Sequence, residues 1–162
     1  MKINFSNHME ALANRFGDKE AVVNIERNRR YSYSEFHALT NRIVNMMTSL
    51  ELGVGDRFIN ILDNDNLSLL HAPTIFKGCA TGAFTNFRDS LEEHTWQVEA
   101  SGAKVAFIEN ELLESHYEML RQRNVTMIVM DKPKENMEGV FYFWDLVDQS
   151  SDQNPDIEID DR

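Results

Sequence analysis

Five histidines and a single cysteine are the side chains of this sequence best suited to nucleophilic or metal chemistry. The histidines lie far apart on predicted helices, without the spacing of metal ligands: His8, His37, His71, His94 and His116. We predict a satisfied or exposed structural role for each of them. Cys79 has no histidine beside it in sequence, so a buried, unreactive thiol is expected, and no disulfide can form within the chain. No catalytic residue and no metal ligand is predicted.

Arginine is the remaining side chain with binding chemistry, and Arg88 is the candidate. It closes the stretch FKGCATGAFTNFR, in which Gly78 and Gly82 are expected to let the chain turn into a strand at residues 81–87. Ligands of open α/β sheets bind at the carboxyl ends of the strands, and a guanidinium placed there can fork onto a phosphate. The alternative, which the spacing alone favours, is a surface arginine paired with Asp89 or Glu92.

Known catalytic loops are absent from the sequence. It contains no GxxxxGK[ST], GxGxxG, GxSxG or HExxH. The direct signatures of a phosphate loop, a dinucleotide site, a nucleophile elbow and a zinc hydrolase are therefore missing.

The stretch 30–62 predicts the element around which the others are arranged. Ser32 and Glu35 have the spacing of a capping box, so a helix is predicted to begin at Tyr33. Apolar residues recur along it at three- and four-residue steps, and Asn41, Arg42 and Asn45 are assigned to the opposite, polar face. Gly53 is expected to end the helix in a left-handed conformation before a strand at residues 57–62.

The rest of the chain alternates short apolar strands with helices of about ten residues. A helix at residues 7–16, with Ser6 as a possible N-cap, and a β-hairpin at 20–33 come first; the helix is expected to lie over the sheet edge. In the second half of the chain, Ser90 and Glu93 repeat the spacing of a capping box before a helix. Apolar strands are predicted at 104–109 and 125–130, and Asn110 is expected to cap the helix between them. This pattern predicts a doubly wound α/β fold, with a mainly parallel sheet covered by helices on both faces.

The composition of the chain limits the classes of partner that it is expected to bind. With 27 acidic and 16 basic residues the net charge is −11, which repels nucleic-acid phosphates. No apolar run is long enough to cross a bilayer and the first residues do not form a signal peptide, so a cytoplasmic location is expected. Ten of the acids and three bases fall in residues 131–162, and we interpret 1–150 as the folded unit and 151–162 as an acidic exit linker.

Several segments taken in order resemble the N-terminal portion of the adenylate-forming acyl-CoA synthetases, in the AMP-binding ligase superfamily. The matching segments are Ser32-Tyr33-Ser34-Glu35, Gly53-Val54-Gly55-Asp56-Arg57-Phe58, Lys77-Gly78, Asn86 and Ser101-Gly102-Ala103-Lys104. Thr85 departs from the pattern, since the family has a proline near that place. The resemblance covers residues 10–110.

The resemblance implies an ATP-dependent carboxylic acid:CoA ligase, with a fatty acid as the favoured substrate and aryl or carnitine-like acids as alternatives. Such an enzyme forms an acyl-adenylate with ATP and Mg²⁺ and then transfers the acyl group to CoA. The family's phosphate loop and catalytic lysine are not found here, so the chain is expected to be an inactive fragment that holds none of these cofactors alone and needs the remaining subdomains as partners. Arg88 matches the place of an arginine that contacts a CoA phosphate in the family.

Two other interpretations stay open from the residues alone. The chain can be a free-standing α/β module that binds a small molecule, or a protein-interaction module without catalysis.

Overall fold

The computed structural model describes residues 2–78 and 80–160. Its elements in chain order are β1 (Lys2–Ile3), α1 (Phe5–Phe16), β2 (Glu20–Asn24), β3 (Arg29–Ser32), α2 (Tyr33–Ser49), β4 (Arg57–Ile61), α3 (Asn64–Phe76), β5 (Thr81–Phe84), α4 (Leu91–Ser101), β6 (Val105–Ile108), α5 (Asn110–Gln122), β7 (Thr126–Val129), β8 (Val140–Tyr142), α6 (Phe143–Asp148) and β9 (Ile159–Asp160). None of the described helices is both long and apolar enough to cross a membrane.

The central sheet is parallel, and within the described residues its five strands run in the order β5-β4-β6-β7-β8. One apolar core joins the sheet to α2, α3 and α6, through residues such as Ile43, Leu70 and Phe143. A second core on the opposite face joins it to α4 and α5, through Val98 and Leu120. The predicted doubly wound α/β fold is confirmed.

Both predicted capping boxes are present. The Glu35 amide donates to Ser32 Oγ at 3.2 Å, and the Ser32 amide donates to the Glu35 carboxylate at 2.8 Å. Ser90 and Glu93 repeat this exchange at the start of α4, at 3.2 and 2.7 Å. Each box satisfies two amides that have no partner within the helix, so these two helix starts were readable from four residues of sequence.

The end of α2 corrects one prediction. Glu51, and not Gly53, takes the left-handed conformation, at φ 60°. The Leu52 amide donates to the Met47 carbonyl at 2.9 Å, and the Glu51 amide donates to the Thr48 carbonyl at 3.0 Å. This is a Schellman motif, which lets the fully buried Leu52 turn back onto the core. Burial of Leu52 thus places the chain reversal two residues before the glycine.

The N-terminal segment also differs from prediction. Asn4, and not Ser6, caps α1, since its side chain accepts from the Asn7 amide at 3.1 Å, and Ser6 is buried inside the helix. The helix packs on α2 instead of lying over the sheet edge. The hairpin of β2 and β3 is antiparallel as predicted. At the other end of the chain, Asn110 is the first residue of α5 and Glu109 precedes it, so Asn110 is not the cap; its side chain bonds to the backbone of Asp131 instead.

The acidic C-terminal stretch lies against α2. Asn41 and Asn45 donate to backbone carbonyls of residues 151–153, each at 2.8 Å for the shortest bond. Farther on, β9 pairs with β1 in an antiparallel arrangement. Asn41, assigned to the polar face of α2, is therefore buried, because the returning chain covers that face. The boundary at residues 150 and 151 stays a prediction.

The structure differs from two predictions near β5. The strand ends at Phe84, and residues 86–89 form a turn, closed by the Asp89 amide donating to the Asn86 carbonyl at 2.9 Å, instead of continuing the strand. Gly82 lies within the strand, where a Cβ would stand 2.9 Å from the ring of Phe58; its role is close packing and not a turn. The prediction for Cys79 falls outside the described residues.

Candidate functional site

The carboxyl ends of β4 and β6 mark the point where the strand order reverses, since β5 continues to one side of β4 and β6 lies on the other. Open α/β sheets bind ligands in the crevice at such a switch point. Asp63 comes directly after β4 and Leu62, and Glu109 comes directly after β6. Two carboxylates therefore meet where the fold has its general ligand crevice.

Arg27 fills this crevice. It lies in the turn between β2 and β3, and its guanidinium reaches four carboxylates of the described residues: Asp63 at 3.4 Å, Asp65 at 3.7 Å, Glu109 at 3.9 Å and Asp131 at 3.4 Å. Burial acts against the charge of Arg27, but the surrounding carboxylates together raise its pKa above the ordinary value. The guanidinium of Arg27 is therefore paired with carboxylates of the same chain.

Glu109 is the most buried of these acids, with 5% of the residue exposed. Its two oxygens accept from the Asn66 side-chain amide at 2.8 and 3.0 Å, and one accepts from the Asp63 backbone amide at 3.1 Å. Burial raises the pKa of Glu109 above its usual range, and these hydrogen bonds and the charge of Arg27 offset the rise only in part.

Further contacts hold the hairpin turn over this edge of the sheet. Arg29 donates to the Asn66 side-chain oxygen at 3.0 Å and stacks on Trp144, with its guanidinium carbon 5.1 Å from the ring centroid. Asn24 donates to the Asp65 carboxylate at 3.1 Å. The hairpin therefore closes the crevice between β4 and β6 with three side chains.

An open cavity of about 520 Å³ lies beside the closed crevice, at the carboxyl ends of β4 and β5. It is lined by Glu26, Leu62, Asp63, Asn64, Asp65, Thr85, Asn86, Phe87 and Arg88. Arg88, the predicted binding residue, is in the turn after β5 and not at the strand end itself, but it lines this cavity at the predicted edge of the sheet.

Arg88 has a different environment from Arg27. Its guanidinium carbon lies 5.3 Å from the ring centroid of Phe87, and no ion pair joins it to a carboxylate of the described residues. Asp89, one of the two partners considered from sequence, instead accepts from the Gln97 amide at 3.0 Å. The Arg88 backbone amide donates to the Asn86 side chain at 3.1 Å, which fixes the turn. The exposed guanidinium is free to meet an anion.

The structure also brings together two histidines that the sequence placed apart. His94 on α4 and His116 on α5 lie with Nδ1 of the first 2.9 Å from Nε2 of the second, and both are buried. The sequence did put each of them on the apolar side of its helix, which was the available signal. Their contact required knowledge that α4 and α5 pack side by side on one face of the sheet.

A metal ion is ordinarily held by several His, Cys, Asp or Glu side chains grouped around one point. Among residues 2–78 and 80–160, no three or more His, Cys, Asp or Glu side chains are grouped so as to hold a metal ion. The acids around Arg27 are already engaged with its guanidinium and with backbone and amide donors.

The chain is similar to known proteins both in sequence and in fold. The sequence profile of a family described as AMP-binding enzyme matches residues 9–161. A fatty acyl CoA synthetase from Mycobacterium tuberculosis superposes with a TM-score of 0.77 at 20% identity, over 96% of this chain and 30% of that one. A benzoate CoA ligase from Burkholderia xenovorans gives 0.74 at 16% identity, over 92% and 29%.

An acyl-CoA synthetase from Brucella canis gives a TM-score of 0.77 at 16% identity, over 98% of this chain and 30% of that one. The chain thus spans about 30% of the length of these solved structures. A search of curated protein sequences finds no significant match.

Proposed function

Because the chain belongs to the family of AMP-binding enzymes, we propose that it forms the N-terminal portion of an adenylate-forming ligase that joins a carboxylic acid to coenzyme A, and that Arg88 binds a phosphate of CoA. The observation that carries the assignment of Arg88 is its exposed guanidinium, which makes no ion pair with a described carboxylate and lies at the open cavity beside the switch point. An arginine in that state can offer its whole fork of donors to a phosphate without first breaking an internal ion pair.

ATP and Mg²⁺ do not fit the residues of this chain. The sequence contains no glycine-rich phosphate loop with its lysine, and the described acids at the sheet edge are bound to Arg27 and to amide donors. The N-terminus of α3 is also closed, because the Asp63 carboxylate accepts from the Asn66 amide at 3.2 Å. We therefore assign the adenylation half-reaction to other parts of the ligase, and only the CoA contact to this chain.

The acid substrate is proposed to be a fatty acid, with an aromatic acid as the competing class. Structures of similar fold include a fatty acyl CoA synthetase and a benzoate CoA ligase, so each of these two classes has a structural neighbour. Comparing thioester formation from medium-chain fatty acids and benzoate by the complete ligase decides between them.

The CoA contact is tested by titrating the isotope-labelled chain with CoA and, separately, with pantetheine, which lacks the phosphates. We expect CoA to shift the amide and guanidinium signals of Arg88, and pantetheine to leave them unchanged. In Arg88→Ala the affinity for CoA should fall about tenfold or more, as for loss of one charged hydrogen bond. Arg121→Ala is the matched control, because Arg121 is also exposed but pairs with Glu118 on its own helix.

A CoA affinity that does not change in Arg88→Ala, or equal shifts with pantetheine, would contradict the assignment of Arg88. The ligase assignment is tested separately by pyrophosphate exchange. We expect the chain alone to give only background exchange, and the complete ligase carrying Arg88→Ala to exchange at the normal rate while the KM for CoA rises.

A further inference from the structure

The open cavity at the ends of β4 and β5 has carboxylates on one side and hydrogen-bond donors on the other. Glu26 lines it from the hairpin turn, and Asp63 and Asp65 line it around the start of α3. Asn86 and Arg88 line it from the turn after β5. Its volume of about 520 Å³ is within the usual range of small-molecule sites. The lining therefore fits a ligand whose two ends differ in chemistry.

Glu26 differs from the other two acids of the cavity. Asp63 and Asp65 pair with the Arg27 guanidinium at 3.4 and 3.7 Å. No ion pair joins the Glu26 carboxylate to a base of the described residues, and Glu26 is exposed. Its carboxylate can therefore accept hydrogen bonds from a ligand without giving up an internal ion pair.

The hairpin turn holds Glu26 at the cavity. The Arg27 backbone amide donates to the Asn24 side-chain oxygen at 2.8 Å, and the Asn24 side chain donates to the Asp65 carboxylate at 3.1 Å. The Arg27 guanidinium pairs with Asp63. Glu26 thus lies between two residues that are anchored to the start of α3, and little ordering of the backbone remains to be done when a ligand binds.

The turn after β5 offers donors. The Asn86 side-chain oxygen already accepts from the Arg88 amide at 3.1 Å, so the amide hydrogens of that side chain remain for a ligand. The Arg88 guanidinium has no ion pair with a described carboxylate and adds further donors. The Thr85 hydroxyl is not among them, because it donates to the Asn60 carbonyl at 2.8 Å. This side of the cavity therefore fits an anionic group.

The balance of charge makes an anion alone a poor ligand. Three acids and one base line the cavity, and Arg27 already pairs with two of the acids. A phosphate bound at Arg88 is still repelled by Glu26, which has no counter-charge of its own. A ligand that also brings hydrogen-bond donors to Glu26 converts this repulsion into a contact.

We propose that the cavity binds the nucleotide end of CoA, with a phosphate at Arg88 and the 6-amino group of adenine at Glu26. The inference rests on the proposed function, and it names the part of CoA that binds and a second residue that selects it. The nucleotide combines an anion and an amino donor in one compact unit, whereas the pantetheine arm has no anion. Carboxylates accept from the exocyclic amino groups of bases. A base without that group leaves the Glu26 carboxylate without a partner, which is the basis of selection.

The test compares two nucleotides on the full chain by NMR titration. These are adenosine 3′,5′-bisphosphate and the same bisphosphate of purine riboside, which lacks only the 6-amino group. We expect the adenosine compound to bind about tenfold more tightly, as for one hydrogen bond to a charged group. Inorganic phosphate should bind more weakly than either nucleotide.

Three variants assign this preference to its residue. In Glu26→Ala the two nucleotides should bind with nearly equal affinity. In Arg88→Ala both should bind more weakly, while the tenfold ratio between them is kept. Glu20→Ala is the matched control, because Glu20 is an exposed acid of the same hairpin that pairs with Arg30, and both affinities should be unchanged.

Equal affinities of the two nucleotides for the unsubstituted chain, or an unchanged ratio in Glu26→Ala, overturn the proposal. Since Glu26 is exposed in a turn, Glu26→Ala is expected to fold; should its amide spectrum show otherwise, the ratio measured on the unsubstituted chain decides alone. Weaker binding of both nucleotides in Arg88→Ala without any preference for adenine would sustain the Arg88 assignment and reject Glu26. Absence of binding by both nucleotides also overturns the proposal, and the pyrophosphate exchange of the complete ligase still decides the ligase assignment.

Discussion

Arg27 and Arg88 lie at the same edge of the same sheet but have opposite surroundings. Arg27 projects from the hairpin into the crevice between β4 and β6 and contacts four carboxylates of the described residues. Arg88 projects from the turn after β5, rests beside a phenyl ring and has no ion pair with a described carboxylate. Both have the same functional group, yet only Arg88 can bind an anion without giving up an internal partner.

The difference between the two arginines distinguishes a closed crevice from an open cavity at one edge of the sheet. The switch point, where an open α/β sheet ordinarily binds its ligand, is closed here by the chain's own cation. The adjacent cavity of about 520 Å³ is open and is lined by Arg88. Arg27 therefore acts as a clasp between the hairpin and the sheet, and the open space at this edge lies one strand farther out.

Lys77 extends the comparison to a buried cation that makes no ion pair with a carboxylate of the described residues. It is 1% exposed, and its ammonium bonds to the Asn41 side-chain oxygen and to His37 at 3.3 Å. Burial lowers the pKa of Lys77 to about 8. Because the unfolded chain keeps this proton up to about pH 10.4, stability should rise with pH between these values.

The largest predicted effect follows from Lys77. Relative to Lys77→Met, the unsubstituted chain should gain about 3 kcal/mol of unfolding free energy between pH 7 and pH 10.5. Urea denaturation at several pH values measures the difference. Lys104→Met is the control, since the Lys104 side chain is 60% exposed. Parallel stability curves for the unsubstituted chain and Lys77→Met would show that the buried ammonium has an ordinary pKa.

The next effect comes from removing the clasp. Arg27→Met leaves Asp63, Glu109 and Asp131 without their common cation. We expect a loss of about 2 kcal/mol in unfolding free energy, less than for a fully buried pair because the Arg27 side chain is 26% exposed. Arg30→Met, which breaks only the exposed pair with Glu20, should cost less than about 1 kcal/mol.

Combining Arg27→Met with Glu109→Gln checks the cause of that loss. If the uncompensated Glu109 charge is responsible, the double variant should recover part of the stability. Additive losses in the two variants would instead place the effect in the packing of the arginine side chain.

The fold could be predicted from sequence wherever the determining contacts are local. The two capping boxes bind residues three apart, so Ser32 and Ser90 announce helix starts by themselves. The parallel sheet follows from apolar strands that alternate with helices. The prediction for the end of α2 was wrong because the position of Leu52 is set by its burial in the core and not by its neighbours in sequence.

The site was predictable only in part, for the same reason. Arg88 was placed at the correct edge of the sheet, because carboxyl ends of parallel strands share an edge. Its lack of an ion pair could not be foreseen, since Asp89 finds Gln97 eight residues away. Arg27 lies within the predicted hairpin but was not recognised as a site residue, because its partners Asp63 and Asp131 are 36 and 104 residues away. The burial of Asn41 likewise depends on a segment more than 100 residues later.

A smaller effect is expected in the pH dependence of the clasp. The folded pKa of Glu109 is raised, so its favourable contribution is complete below the ordinary glutamate pKa of about 4.3 and is lost as the pH rises through the folded value. Relative to Glu109→Gln, the unsubstituted chain should therefore become less stable as the pH rises through this range.

The Arg27→Met background sharpens this pH test. Without the nearby cation the pKa of Glu109 should rise further, so the loss of stability should continue to higher pH. Urea titrations between pH 4 and pH 7 compare the four proteins. A difference that grows in the opposite direction with pH would mean that hydrogen bonds from Asn66 outweigh burial.

The last prediction converts the surroundings of Arg88 into those of Arg27. Phe87→Glu puts a carboxylate in place of the ring beside the guanidinium, whereas Phe87→Leu removes the ring without adding charge. Both variants lose the packing of a partly buried phenyl group, so their stabilities should fall together. Only Phe87→Glu gives Arg88 an internal partner and a charge that repels phosphate, and we expect its affinity for CoA to fall about tenfold while Phe87→Leu binds nearly as well as the unsubstituted chain. Calorimetric titration with CoA makes the comparison. Equal affinities in the two variants would mean that freedom from a carboxylate is not what distinguishes Arg88 from Arg27.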